Sequence, residues 1–162
     1  MKMNRAADEA AEITDEFSFL DDWEDRYQLL IDQGRRLAPL PEQYHSDEYR
    51  LRGCQSVVHF AAETNEDGEI IFHAGSDAAI VQGLIALLLR VYSGRTPDEI
   101  RDTDPAFLAE IGLDSHLSPT RKNGLASMVA AINSAMRVTV VKKFLNIFSR
   151  IAVEGVFSCL ER

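Results

Sequence analysis

Apolar side chains set the rhythm of this chain. From Phe19 they recur at Trp23, Tyr27, Leu30 and Ile31, the spacing of one face of an amphipathic helix packed on a core. Asp21 or Asp22 stands where an N-cap belongs, and Gly34, Pro39 and Pro41 end the pattern. Ahead of it, Met1–Glu16 is polar and rich in Asp and Glu, has no sustained apolar period, and is expected to be flexible. Three extended stretches follow: Glu48–Arg52, Ser56–Glu63 and Glu69–His73. The last two flank a turn, Thr64–Gly68, that ends in Asp-Gly. Ala78–Tyr92 is apolar on nearly every side and predicts a buried helix, capped by Ser76 or Asp77 and ended by Gly94. Thr96-Pro97-Asp98-Glu99 reads as a capping box, and Asp104-Pro105 as the start of a short helix. Ser118-Pro119 opens a longer one through Arg137, with Leu125, Met128, Val129, Ile132 and Met136 inside. The predicted class is α+β: a small antiparallel three-stranded sheet flanked by helices.

Val138–Arg162 differs in character. Val141, Phe144, Leu145, Phe148 and Ile151 make a helical stripe suited to packing, to a homodimer or to a surface. Four basic residues against Glu154 and Glu161 leave this segment at +2, so the rest of the chain holds −11 of a net −9. An acidic body of this kind does not suit phosphate backbones, which need clustered Lys and Arg, so no nucleic-acid partner is expected. The apolar run Ala78–Leu89 is too short for a bilayer, and the lysines of the last segment argue against a span there, so no membrane is expected either. The first residues lack the apolar stretch of a secretory signal. The expected organisation is a flexible stretch 1–16, one domain 17–137 and an amphipathic segment 138–162, in the cytoplasm.

The chemistry centres on Arg52-Gly53-Cys54-Gln55-Ser56. Cys54 is one of two cysteines and falls between two predicted strands, beside a glycine free to take positive φ. By itself such a cysteine is as readily a small buried hydrophobe. Cys159 lies far away and forms neither a C-x-x-C pair nor a metal-ligand spacing with it. Free thiols of this kind fit a reducing compartment.

Three stretches taken together carry more: Gly53–Ser56, Ser76–Leu84 (SDAAIVQGL) and His116–Leu125 (HLSPTRKNGL), with Asp22-Trp23-Glu24 and Leu40-Pro41 upstream. In this order and spacing the chain resembles the SufE family of cysteine desulfuration proteins from about Phe19 to Arg137. The resemblance implies an α+β fold related to iron–sulfur scaffold proteins. It also implies a sulfur acceptor, not a stand-alone enzyme. Such a protein takes persulfide sulfur from a pyridoxal-phosphate-dependent cysteine desulfurase, of the SufS or CsdA kind, and stimulates it. It then passes the sulfur to an iron–sulfur assembly complex. Cys54 matches the accepting cysteine. Gly53, Gln55 and Ser56 match its loop, and Asp77 and Arg121 match positions tied to the loop's surroundings and to the desulfurase. No resident cofactor or metal is implied, since pyridoxal phosphate belongs to the partner. The chain departs from the family pattern at Val57-Val58-His59 and at Gln82.

The residues suggest further expectations about this site. The helix opening at Ser76/Asp77 would favour a thiolate if its N-terminus faced Cys54. Val57, Val58 and Phe60 would wall a pocket beneath the loop. His59 and His73 would face one another across the hairpin. The runner-up function is a metal or iron–sulfur scaffold or an interaction module. A cluster normally takes four thiolates or imidazoles, however, and His45, His59, His73 and His116 are scattered. A cysteine hydrolase would need an oriented base, and no local signature supplies one.

Overall fold

The structure, a computed structural model, describes residues 3–157, with side chains through Leu145. It opens with a helix where a flexible stretch was expected: α1 spans Arg5–Ser18. Asn4 caps it, its side chain accepting from the N–H groups of Ala6 and Ala7. Ala6, Ala10, Ile13 and Phe17 are buried in a regular helical stripe. Two of those four are alanines, whose short side chains barely mark a period among so many acids. The acids themselves are used. Arg90 bonds Glu9 and Glu16 at 2.8 Å, and Arg5 ties the start of α1 to Glu99 and Glu69.

Helix α2, Trp23–Arg36, is capped by Asp22, which accepts the Asp25 N–H at 2.9 Å. Phe19, expected on its inner face, precedes it and is exposed. The sheet has two strands instead of three. Strand β1 (Val58–Thr64) and strand β2 (Ile70–Ser76) pair antiparallel, from Val58 opposite Ser76 to Thr64 opposite Ile70. Glu48–Arg52 is not a strand. Asp47–Tyr49 closes a single 3-10 turn, with the Tyr49 N–H on the Ser46 carbonyl, and that turns the backbone away from extended pairing. Only a bridge between Arg50 and His59 survives, with the Leu51 N–H on the Val58 carbonyl at 2.8 Å.

Helix α3, Ala79–Tyr92, lies under the hairpin with Leu84, Ile85 and Leu87 fully buried. Its N-cap is Ala78, not Ser76 or Asp77. Ser76 acts one step out, its Oγ accepting the Ala78 N–H, while Gln82 reaches back to accept the Ser76 N–H at 2.8 Å. Helices α2 and α3 cross with their backbones touching. A Cβ on Gly34 would sit 2.7 Å from the Gly83 nitrogen, and one on Gly83 would overlap the Leu30 carbonyl oxygen.

Short helices α4 (Pro97–Arg101), α5 (Phe107–Glu110) and α6 (Leu113–His116) close one end. The capping box at α4 forms as read, Thr96 and Glu99 bonding each other's backbone. Ser118 accepts the Arg121 N–H at the start of α7, Pro119–Phe157. Met128 and Ile132 fix α7 on the core, with Leu125, Val129 and Met136 beside them. The helix does not stop near Arg137 but runs on without a break. By length and composition Pro119–Leu145 would pass for a membrane span, yet its Met128 and Ile132 are buried in this protein's own core.

Two outcomes are expected. Gly83→Ala should lower the unfolding free energy by about 3 kcal/mol in urea titrations, because backbone overlap outweighs the roughly 1 kcal/mol that alanine normally gains over glycine within a helix. Glu99, held down to about 2 chiefly by the Arg5 guanidinium, should make stability acid-sensitive. A depressed carboxylate stabilises fully above its unfolded value and loses that contribution as pH falls through the folded one. Urea midpoints should therefore drop between about pH 4.3 and pH 2, and drop less in Glu99→Gln.

Candidate functional site

The loop before β1 is shaped by two local constraints. Leu51 is pinned to β1 by its N–H, and Gly53 turns the chain with φ of +91°. A side chain at position 53 would be strained, and its Cβ would stand 3.0 Å from the Ser127 hydroxyl of α7. The turn therefore delivers Cys54 against the second turn of α7. Its sulfur lies 3.8 Å from the Gly124 carbonyl oxygen, to which the thiol donates. Gly124 leaves this space open, since a Cβ there would already touch the sulfur at 3.4 Å.

Around the thiol is a cavity of about 20 Å³, room for about one water-sized group. Val81, Leu84, Leu125 and Met128 make its apolar side; Gln55, Ser56, Thr120 and Arg121 make its rim. The expected wall of Val57, Val58 and Phe60 is not among its lining residues. Val58 is buried in the core, and Phe60 lines a separate groove between β1 and α7. Helices α3 and α7 supply the wall instead.

Burial raises the Cys54 thiol above its ordinary value. The carbonyl partner works in the same direction, because a thiol can donate to Gly124 and a thiolate is repelled by it. The thiol's backbone partner is a carbonyl on the flank of α7, and the first turn of α3 contributes Val81 to the cavity.

The other predicted site residues fall into two groups. Gly53, Gln55, Ser56 and Arg121 gather at the Cys54 loop, with Arg121 exposed on the rim. Asp77 is exposed on the turn before α3 and does not line the cavity. Gly124 and Thr120 were not singled out from sequence as neighbours of the thiol, nor Ser127 as a neighbour of Gly53. A glycine inside a helix pattern that otherwise has no need of one was the available signal for Gly124. The His45 and His59 rings lie 5.7 Å apart, but His59 and His73 are not paired. His59 is opposite Gly75 and His73 opposite Ala61; His73 bonds Glu63 and stacks on Tyr44. Among the described residues, no group of three or more His, Cys, Asp or Glu is placed to hold a metal ion. Cys159 lies outside the described residues.

Fold and site together define a class: an α+β protein that carries one half-buried thiol on a loop beside a cavity of atomic size. The comparisons with known proteins narrow it. The family model SufE, described as an Fe-S metabolism associated domain, matches residues 11–136. An uncharacterised SufE-like protein of Rhizobium meliloti (strain 1021) is 41% identical over 127 residues, covering 76% of this chain and 91% of its own. One from Rhizobium etli is 42% identical over 131 residues, covering 78% and 88%. The fold is shared with a hypothetical protein from Thermus thermophilus solved in solution, with a TM-score of 0.68 at 21% identity over 82% of this chain and 96% of that one. This chain belongs to the SufE family, and so to proteins associated with iron–sulfur metabolism.

A protonated resting thiol has a kinetic signature. In a Cys159→Ser background, iodoacetamide should modify Cys54 slowly at neutral pH. The rate should still be climbing with pH past about 8.5, where an unperturbed cysteine begins to level off. Mass spectrometry of timed quenches reads it.

Proposed function

We propose that this protein accepts sulfur from a pyridoxal-phosphate-dependent cysteine desulfurase onto Cys54, accelerates that enzyme by clearing its persulfide, and hands the sulfur on to iron–sulfur cluster assembly. The observation that carries the reading is the pairing of a loop thiol with a cavity that admits about one small atom. A desulfurase persulfide presents one sulfane sulfur. The Cys54 thiol gives up its proton, and the thiolate attacks that terminal sulfur. A new S–S bond forms on Cys54 as the partner's S–S bond breaks, and the partner leaves as a thiolate that takes up the proton Cys54 released. The sulfane sulfur keeps its oxidation state through the exchange, so no outside oxidant or reductant is needed.

The residues divide the task. Gly53 sets the turn that presents the thiol. Gly124 leaves room for the added atom, and Val81, Leu84, Leu125 and Met128 keep stray thiols and water from it. Because burial and the Gly124 carbonyl keep the resting thiol protonated, attack requires the sulfur to leave that carbonyl for a setting that stabilises an anion. The partner's active site is the proposed setting. Arg121, exposed at the rim, is suited to meet it and to steady the developing charge. Asp77, away from the cavity, is assigned to docking.

Intact-mass analysis after mixing with an active desulfurase and L-cysteine tests the reading. An added mass of one sulfur on the Cys54 peptide and faster desulfurase turnover are expected, both lost in Cys54→Ser. Arg121→Ala should slow loading about 10- to 100-fold, if it steadies the anion in the way that other charge-assisted contacts do. An unmodified Cys54 beside a working desulfurase, with turnover unchanged, would overturn the proposal.

A further inference from the structure

Asp22-Trp23-Glu24 and His116-Leu117 take no part in the sulfur exchange itself, yet the fold brings the two stretches together. The His116 ring stacks on Trp23, with centroids 3.7 Å apart and planes 12° from parallel. One turn further along α2, the Tyr27 hydroxyl donates to the His116 backbone carbonyl. The His116 Nδ1 lies 3.2 Å from the Gly112 carbonyl oxygen, which can only accept, so that nitrogen carries the proton. Trp23 has little freedom to follow a moving partner. The Arg26 guanidinium stands 5.2 Å from its ring centroid and bonds the Leu20 and Ile111 carbonyls at 3.0 Å. Gly112, at φ of +82°, abuts the ring so closely that a Cβ there would lie 2.8 Å from it. The indole is a fixed plate, and His116 is the side chain laid on it.

The stretch so held has little else to hold it. Of residues 116–121 only Leu117 is buried, and a segment with so little apolar burial opens easily unless it is tied down. It leads directly into the rim of the thiol cavity. The Ser118 hydroxyl accepts the Arg121 N–H at 3.4 Å and its carbonyl accepts the Lys122 N–H at 3.0 Å, so the first turn of α7 is built on the tied stretch. That turn and the next supply Thr120, Arg121 and Gly124 to the surroundings of Cys54.

We propose that Trp23, Tyr27 and His116 are positioning residues, a latch that fixes the start of α7 over Cys54. It holds the Gly124 carbonyl on the resting thiol and Arg121 at the rim where the partner's sulfur arrives. The part that concerns Arg121 rests on the sulfur-acceptor reading; the part that concerns the resting thiol does not. Opening the latch has effects of opposite sign. The thiol loses its cover and its carbonyl partner, so a small reagent reaches it faster. Arg121 loses its place, so transfer from the partner slows. General loosening of the fold would give the first effect without the second.

The test uses the full chain in a Cys159→Ser background. His116→Ala and Tyr27→Phe should each raise the iodoacetamide rate of Cys54 at neutral pH about 3- to 10-fold, the gain in open population when one stack or one hydrogen bond is lost. His116→Phe, which still stacks, should restore the slow rate. Melting curves should stay with the parent's, since the His116 side chain is exposed. With a pyridoxal-phosphate-dependent cysteine desulfurase and L-cysteine, His116→Ala should lower the maximal loading rate about 10-fold, the cost of a misplaced group. The half-saturating desulfurase concentration should hardly change, and an Arg121→Ala chain should lose nothing further. Alkylation unchanged in both variants would overturn the latch. So would a His116→Phe chain as reactive as His116→Ala, loading as fast as the parent's, or a loss that adds in full to that of Arg121→Ala. A parent chain that takes up no sulfur would sink the acceptor reading instead, and alkylation alone would then decide the latch.

Discussion

The fold depends on two glycines. Gly34 and Gly83 let α2 and α3 approach until backbone touches backbone, closer than any pair bearing Cβ atoms allows. That contact sets the depth of α3, and α3 sets nearly everything else. It is the floor for the hairpin, the partner of α1 through Arg90, and the source of Val81 and Leu84 beneath the thiol. A glycine in a helix usually weakens it; here the loss is offset by burial along both helices. The tight crossing leaves little slack, so the walls around Cys54 are held by the core and not by the loop that carries it.

Elements with strong local chemistry were legible in the sequence. The cap at Asp22, the box at Thr96 and Glu99, the hairpin through Asp67-Gly68 and the apolar α3 all stand where the pattern puts them. What the pattern hid was long-range. Helix α1 is held by Arg5 reaching Glu69 and Glu99, partners more than sixty residues away that no local window contains. The missing third strand shows the converse: Glu48–Arg52 has a composition that suits a strand, but a turn at Ser46–Tyr49 claims its backbone. At the site, the position of Cys54 on a loop beside Gly53 could be read directly. Its surroundings could not, because they come from α3 and α7, which no local window around the loop contains.

The electrostatics of the site run opposite to those of a self-sufficient nucleophile. Reactive cysteines sit beside cations or at the open ends of helices, where the anion is favoured. Cys54 has instead an apolar surround and a carbonyl already engaged in a helix. Arg121 is near enough to line the rim yet is turned to solvent. This geometry favours the neutral thiol and leaves activation to whatever displaces the sulfur from Gly124.

The Gly124 contact also bears on survival between encounters. Peroxides and other electrophilic oxidants consume thiolates, and the damage runs from sulfenic to irreversible sulfinic and sulfonic acids. A sulfur kept neutral, half-covered and facing a carbonyl offers them little. A helix lacking one methyl group thus gives this cysteine a chemically quiet berth, one that disfavours the thiolate on which such oxidants act.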